Sequence, residues 1–339
     1  MKHKIIILLF SLILWSGTAA AQEESTRLTY GDFLRDTIVE GGLHVWEFEA
    51  QAGDVVFINL QSDEFDPLLE VFFEGNLIYS DDDSGYMSDA YLETEPLEEG
   101  VYQIFVKSAF ASDGGEYYLT LAGMQPIIGG DEIILNTPTV AILSEQNLDT
   151  WTLTLEATTS IYAAVRSPAQ DLLLRVFDQN GELVAEDDDS GGDLNPLLES
   201  LELSAGEYQV VVEPAISVDA SGASYVIEFL TTANGQTIIP NTLARGVLVS
   251  VGDSAVWELT IEENQEISIL ARSEFFDTIL TIIDPNGVVI ATDDDSGTGF
   301  RSAYLELKIV DAGTYQIVVS SFGENVGLYE LRVLDETES

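Results

Sequence analysis

The sequence predicts an all-β protein: three tandem antiparallel β-sandwich domains, jelly-roll-like in outline, after a signal peptide. Three observations carry that prediction. The stretch Asp-Asp-Asp-Ser-Gly occurs at 81–85, 187–191 and 293–297, at a constant spacing of 106 residues. Short runs of alternating apolar and polar residues, separated by Gly, Pro, Asn and Asp, recur around each copy, the signature of strands joined by turns. No stretch shows a convincing helical period, and a fixed repeat of this length leaves each unit large enough to own a core.

The leader comes first. Lys2, His3 and Lys4 precede the apolar run from Ile5 to Trp15, and Ser16-Gly17-Thr18-Ala19-Ala20-Ala21 supplies small residues with an A-x-A ending. That order predicts a secretory signal peptide over residues 1–21, cut before Gln22. The apolar run is short for a membrane span, and no later segment is long enough to be one. No Cys follows the run to carry a lipid anchor. The expected product is an exported protein, extracellular or periplasmic, with no membrane insertion.

Charge and composition then narrow the chemistry. Lys2 and Lys4 belong to the leader, which holds no acid, so 10 of the 12 basic residues and all 60 acidic ones remain, a formal charge of −50. Such a field repels nucleic acid and anionic membranes and attracts cations. The chain has no cysteine, so disulfides, zinc thiolates and cysteine nucleophiles are excluded. His44 is the only histidine after the leader, which leaves little for Ser-His-Asp or metallohydrolase chemistry.

Each unit opens on a strand with a central Trp: Trp46, Trp151 and Trp257. In an alternating apolar strand a Trp belongs to the core rather than to a sugar-stacking platform, and the alternation puts Trp46, Phe48, Tyr102 and Ile104 inward. His44, without a counterpart in the other units, is expected half-exposed. An Asp follows each Trp by 20 residues, within Ser-x-x-x-Asp: Ser62 to Asp66, Ser167 to Asp171, Ser273 to Asp277. Two strands follow, joined by Glu74-Gly75-Asn76, Gln179-Asn180-Gly181 and Pro285-Asn286-Gly287, all good hairpin chemistry. The acidic triplet ends each hairpin. Leu92-Glu93, Leu198-Glu199 and Leu305-Glu306 come next, each expected as a buried Leu beside a solvent-facing Glu. Gly-x-Tyr strands then start at Gly100, Gly206 and Gly313, and Tyr-x-apolar-x-apolar closes each unit from Tyr117, Tyr225 and Tyr329. The expected domains are 22–125, 126–233 and 234–339.

This order of motifs resembles the bacterial pre-peptidase C-terminal (PPC) domain family, in three tandem copies. The resemblance implies a calcium-associated β-sandwich, usually appended to secreted peptidases, with a binding or maturation role and no catalysis of its own.

The acidic turns suggest calcium from their own chemistry as well. Calcium takes six to eight oxygen ligands. A hairpin returns its two ends to one neighbourhood, so Asp66 is expected near Asp81, Asp82 and Asp83. By the same geometry Asp171 approaches Asp187, Asp188 and Asp189, and Asp277 approaches Asp293, Asp294 and Asp295. Two carboxylate walls so close together are costly without a cation. The turns also fit a plainer reading as solvated strand ends, since Asp, Ser and Gly are common turn formers. The EF-hand pattern is incomplete: position 12 from Asp81 is Leu92, where a bidentate Glu is needed. No G-x-S-x-G, P-loop or H-E-x-x-H is present, and acids crowded on one turn do not make a glycosidase pair.

The expectation is a non-catalytic, calcium-binding repeat protein that binds an extracellular protein or polysaccharide. The alternatives are an accessory partner of a secreted peptidase (chaperone, targeting factor or inhibitor) and a salt-adapted surface or matrix component.

Overall fold

The structure is a computed structural model that describes residues 26–192, 194–261, 265–297 and 301–337; the expected leader lies outside them. Every regular element in these ranges is a β-strand. Six sheets stack in three pairs, and each pair closes over its own hydrophobic core.

In the first sandwich one sheet runs Thr26–Arg27, His44–Ala50, Gly100–Ser108, Pro67–Phe73 and Asn76–Asp81 in spatial order. The facing sheet runs Phe33–Ile38, Gly115–Met124, Val55–Gln61 and Ala90–Glu93. The chain therefore crosses between layers at most connections, as a jelly-roll path does. Trp46 pairs with Ile104, Trp151 with Val210 and Trp257 with Ile317, so the three units keep one register. The pairing is antiparallel except at short leading strands such as Thr26–Arg27 and Asn234–Ile238.

The predicted hairpins form at Pro67–Phe73/Asn76–Asp81, Leu172–Phe177/Leu183–Asp187 and Thr278–Ile283/Val289–Asp293. In the first, Glu74 (φ 49°) and Gly75 (φ 77°) both take left-handed backbone, which suits the twist of a tight hairpin. In the other two, Asp178 and Asp284 accept from the backbone N–H groups of the loop that follows them. Every return strand carries a bulge, at Ile78, Val184 and Ile290. These are sheet edges, and a bulge bends an edge away from further pairing. The glycine of Gly-x-Tyr is fixed by packing: a Cβ on Gly100 would lie 2.6 Å from the Phe73 ring, and one on Gly313 would lie 2.5 Å from Pro285.

Trp151 and Trp257 are buried, and Trp46 packs partly buried against its core with Phe48, Tyr102 and Ile104 fully inside. A bond that the sequence did not announce joins the Trp strand to the closing strand of each unit. The indole N–H of Trp46, Trp151 and Trp257 donates to the hydroxyl of Tyr117, Tyr225 and Tyr329 at 2.9, 3.0 and 2.7 Å. A large buried ring pair thus satisfies its polar atoms internally. His44 corrects an expectation. It is buried, with Nδ1 2.8 Å from the Tyr117 hydroxyl, because the strand parity that turns Trp46 inward turns His44 inward too.

The three sandwiches are not beads on a string. One sheet from each turns its outer face to the others, so the strand Ser224–Leu230 is buried at all seven positions. Arginines bridge the faces. Arg272 pairs with Asp89 and Arg332 with Asp63 (2.7 Å), both from the third sandwich to the first. Arg35 reaches Glu336 at 2.5 Å, Arg166 reaches Glu93 at 4.0 Å, and Arg245 reaches Glu228 at 3.5 Å. Arg272 and Arg332 also lie over the rings of Tyr86 and Tyr118.

Candidate functional site: the acidic turns

Each acidic turn begins where the hairpin ends, with Leu69, Leu174 and Leu280 opposite Asp81, Asp187 and Asp293. The first Asp of each triplet closes the turn on itself. Asp81 accepts from the N–H of Ser84 (3.0 Å), the hydroxyl of Ser84 (2.5 Å) and the N–H of Tyr91 (2.9 Å). Asp187 takes the same three bonds from Ser190 and Leu197, and Asp293 takes them from Ser296 and Tyr304. Burial opposes ionisation of Asp187 and Asp293, but these hydrogen bonds outweigh it and hold both below the usual carboxylate range.

The last two letters are also fixed. Ser84, Ser190 and Ser296 are the donors just described. Gly85, Gly191 and Gly297 each donate their N–H to a carbonyl of the next loop, of Asp89, Asn195 and Ser302. A Cβ on Gly85 would fall 2.7 Å from that oxygen, so the contact admits only glycine. Ser-x-x-x-Asp is tied in as well. Ser62, Ser167 and Ser273 donate their hydroxyls to the closing strands, at Glu116, Ser224 and Leu328. Asp89 and Asn195 accept from the N–H of Ser62 and Ser167, joining the loop to the acidic turn.

Two carboxylates per turn remain unexplained by the fold: Asp82 and Asp83, Asp188 and Asp189, Asp294 and Asp295, all exposed. The upstream Asp lies within their electrostatic reach in the first and third sandwiches. Burial, then the charges of Asp83 and Asp82, raise the pKa of Asp66 above the usual value; burial, then Asp295 and Asp294, do the same for Asp277. One carboxylate oxygen of each, Oδ1, is buried without a hydrogen-bond partner. Asp171 keeps the equivalent backbone bond, its carbonyl accepting from Ala215 N–H at 3.0 Å, but has no such orphaned oxygen. Among the described residues no group of three or more His, Cys, Asp or Glu is drawn together tightly enough to hold a metal as it stands. The donors are all hard oxygens, and Asp66 and Asp277 each feel the charge of two further carboxylates, which is the chemistry that suits calcium.

Leu92 is buried, whereas Leu198 and Leu305 are only partly so, and the Glu residues that follow them divide. Glu199 and Glu306 are exposed as expected. Glu93 is a correction: it turns into the junction toward Arg166, and burial pushes its pKa up to about 7 against the lowering effect of that guanidinium. Its strand, Ala90–Glu93, lies at the edge of a sheet covered by another sandwich, which the sequence of one unit could not reveal.

No family model matches the chain, and no curated protein matches it. Two solved structures show what the chain is similar to. One is the pre-peptidase C-terminal domain of a collagenase from Bacillus anthracis, at 18% identity over 30% of this chain and 95% of that one, TM-score 0.27. The other is the CUB1-EGF-CUB2 domain of human MASP-1/3, at 11% identity over 58% of this chain and 100% of that one, TM-score 0.18. Overlaps this loose carry no argument about function.

Proposed function

We propose that the protein is an extracellular, non-catalytic binding module built of three PPC-like units, 22–125, 126–233 and 234–339, each stabilised by calcium at its acidic turn. Its partner is an extracellular protein or polysaccharide. The observation that carries the calcium reading is the pair of orphaned oxygens on Asp66 and Asp277, whose carboxyls feel the charges of Asp82 and Asp83 in one case and Asp294 and Asp295 in the other. Calcium bound there supplies positive charge between two carboxylate walls; the first Asp, the Ser and the Gly of each turn hold the walls in place. The motif order supports the PPC assignment, and the absence of cysteine with His44 as the one histidine after the leader supports the non-catalytic reading.

Calcium titration by calorimetry on the mature protein tests the reading. Saturable binding is expected, weakened at least tenfold at one site by Asp66→Asn and at another by Asp277→Asn. A flat titration, or binding indifferent to both substitutions, overturns it.

A further inference from the structure

The junction between the sandwiches encloses space. A cavity of about 650 Å³ opens among all three, with Phe57, Asn59 and Tyr91 from the first, Tyr162 and Arg166 from the second, and Arg245 from the third in its wall. A second chamber of about 630 Å³ shares Phe57, Tyr91, Arg166 and Arg245 with it, so the two meet at a common waist. Spaces of this size at the meeting of domains are where small ligands bind.

The waist has three properties. Its shared charged residues are Arg166 and Arg245; Glu228 leaves the second chamber an excess of one cation, while in the first Arg166, Arg245 and Arg272 are balanced by Glu199, Glu274 and Glu330. Arg166 is hydrogen-bonded to Glu228, whereas Arg245 sits 3.5 Å from that carboxylate with its side chain 43% exposed. Arg245 is thus the cation with donors to spare. The walls are aromatic on two sides, with Tyr91, Tyr162 and Phe57. Finally, the Oδ1 of Asn59, in the wall of the first chamber, is a buried acceptor with no donor, and such atoms are rare in folded proteins.

We propose that this junction cavity binds a small hydroxylated carboxylate, of which a uronic acid is the type, with its carboxylate on Arg245 and a hydroxyl donated to Asn59. The guanidinium fork matches a carboxylate bidentately. The aromatic walls take the apolar face of the ring. This names a ligand class within the binding-module reading, but it places the ligand between the units and needs no calcium at the acidic turns.

The test is calorimetric titration of the full mature chain with galacturonate, galactose and trigalacturonate, each with calcium and with EDTA. Galacturonate should bind at least tenfold more tightly than galactose, in EDTA as in calcium. Arg245→Gln should abolish that preference, and Asn59→Leu, which removes no charge, should weaken both sugars several-fold. If Arg245→Gln opens the junction by X-ray scattering, Asn59→Leu still decides the matter. Trigalacturonate binding more tightly than the monomer assigns the site to a polysaccharide end; equal or weaker binding assigns it to the free acid. Equal affinity for galacturonate and galactose, or a preference that survives Arg245→Gln, overturns the proposal. Loss of calcium binding with galacturonate binding intact sinks only the acidic-turn reading.

Discussion

Asp81 and Asp82 are neighbours with opposite duties. Asp81 accepts three hydrogen bonds that shape the turn, while Asp82 and Asp83 are exposed to solvent. Asp81→Ala should therefore cost about 2 kcal/mol, since it strands several donors of a partly buried loop. Asp82→Asn with Asp83→Asn should leave the calcium-free melting temperature unchanged or higher, while weakening calcium binding. Calorimetric melting in EDTA reads both. Asp66→Asn should raise the calcium-free melting temperature at pH 7. A carboxyl whose folded pKa is raised stabilises the fold fully only below its unfolded value, and that contribution is lost as pH rises; an amide avoids the loss. The same substitution should lower the melting temperature measured with saturating calcium, because it removes a proposed ligand.

At the level of strands, most of the architecture was legible. Period-2 runs and hairpin residues depend on neighbours close in sequence, so a single chain discloses them. The three Ser-x-x-x-Asp motifs gave no reason to set Asp171 apart from Asp66 and Asp277, which alone carry an orphaned oxygen. What escaped was the outer face of each sandwich. Glu93 was expected near solvent, since its own unit gives no sign of what covers it; His44 was misplaced within its own unit, where the parity of Trp46 buries it against Tyr117. A clue did exist in Tyr225-Val226-Ile227-Glu228-Phe229-Leu230, where apolar residues fill both parities and the alternation of a half-exposed strand is lost. The contact it predicts is held by pairs such as Arg272 with Asp89, side chains 5% and 2% exposed. Arg272→Ala leaves a buried carboxylate alone and should cost about 3–5 kcal/mol. Its measurable sign is a larger radius of gyration, or separate melting of the third sandwich from the first two.

For the whole molecule the junction sets the response to pH. Burial raises Asp89 to about 6 and Glu93 to about 7, against the opposing pull of Arg272 and Arg166. Both bind protons more tightly in the folded state. Their contribution is complete below the ordinary carboxylate values near 4 and disappears as pH rises through 6 and 7. In EDTA, the melting temperature should fall between pH 5 and pH 8, and Glu93→Gln should flatten the upper part of that slope. A melting temperature that climbs across this range contradicts the burial of these two acids. Sodium chloride should raise it throughout, by screening a formal charge of −48.

The seven buried positions of Ser224–Leu230 also bear on how this protein can be taken apart. A repeat is commonly regarded as a portable part, to be excised, shuffled or multiplied. The second unit here, cut out alone, would expose Val226 and Leu230, residues now covered by its neighbours, along an apolar strand prone to self-association. The three units share a sequence pattern but not an independent surface. A fragment carrying the second unit alone should aggregate unless those positions are made polar, and a chain that keeps all three is the smallest one whose surfaces are all finished.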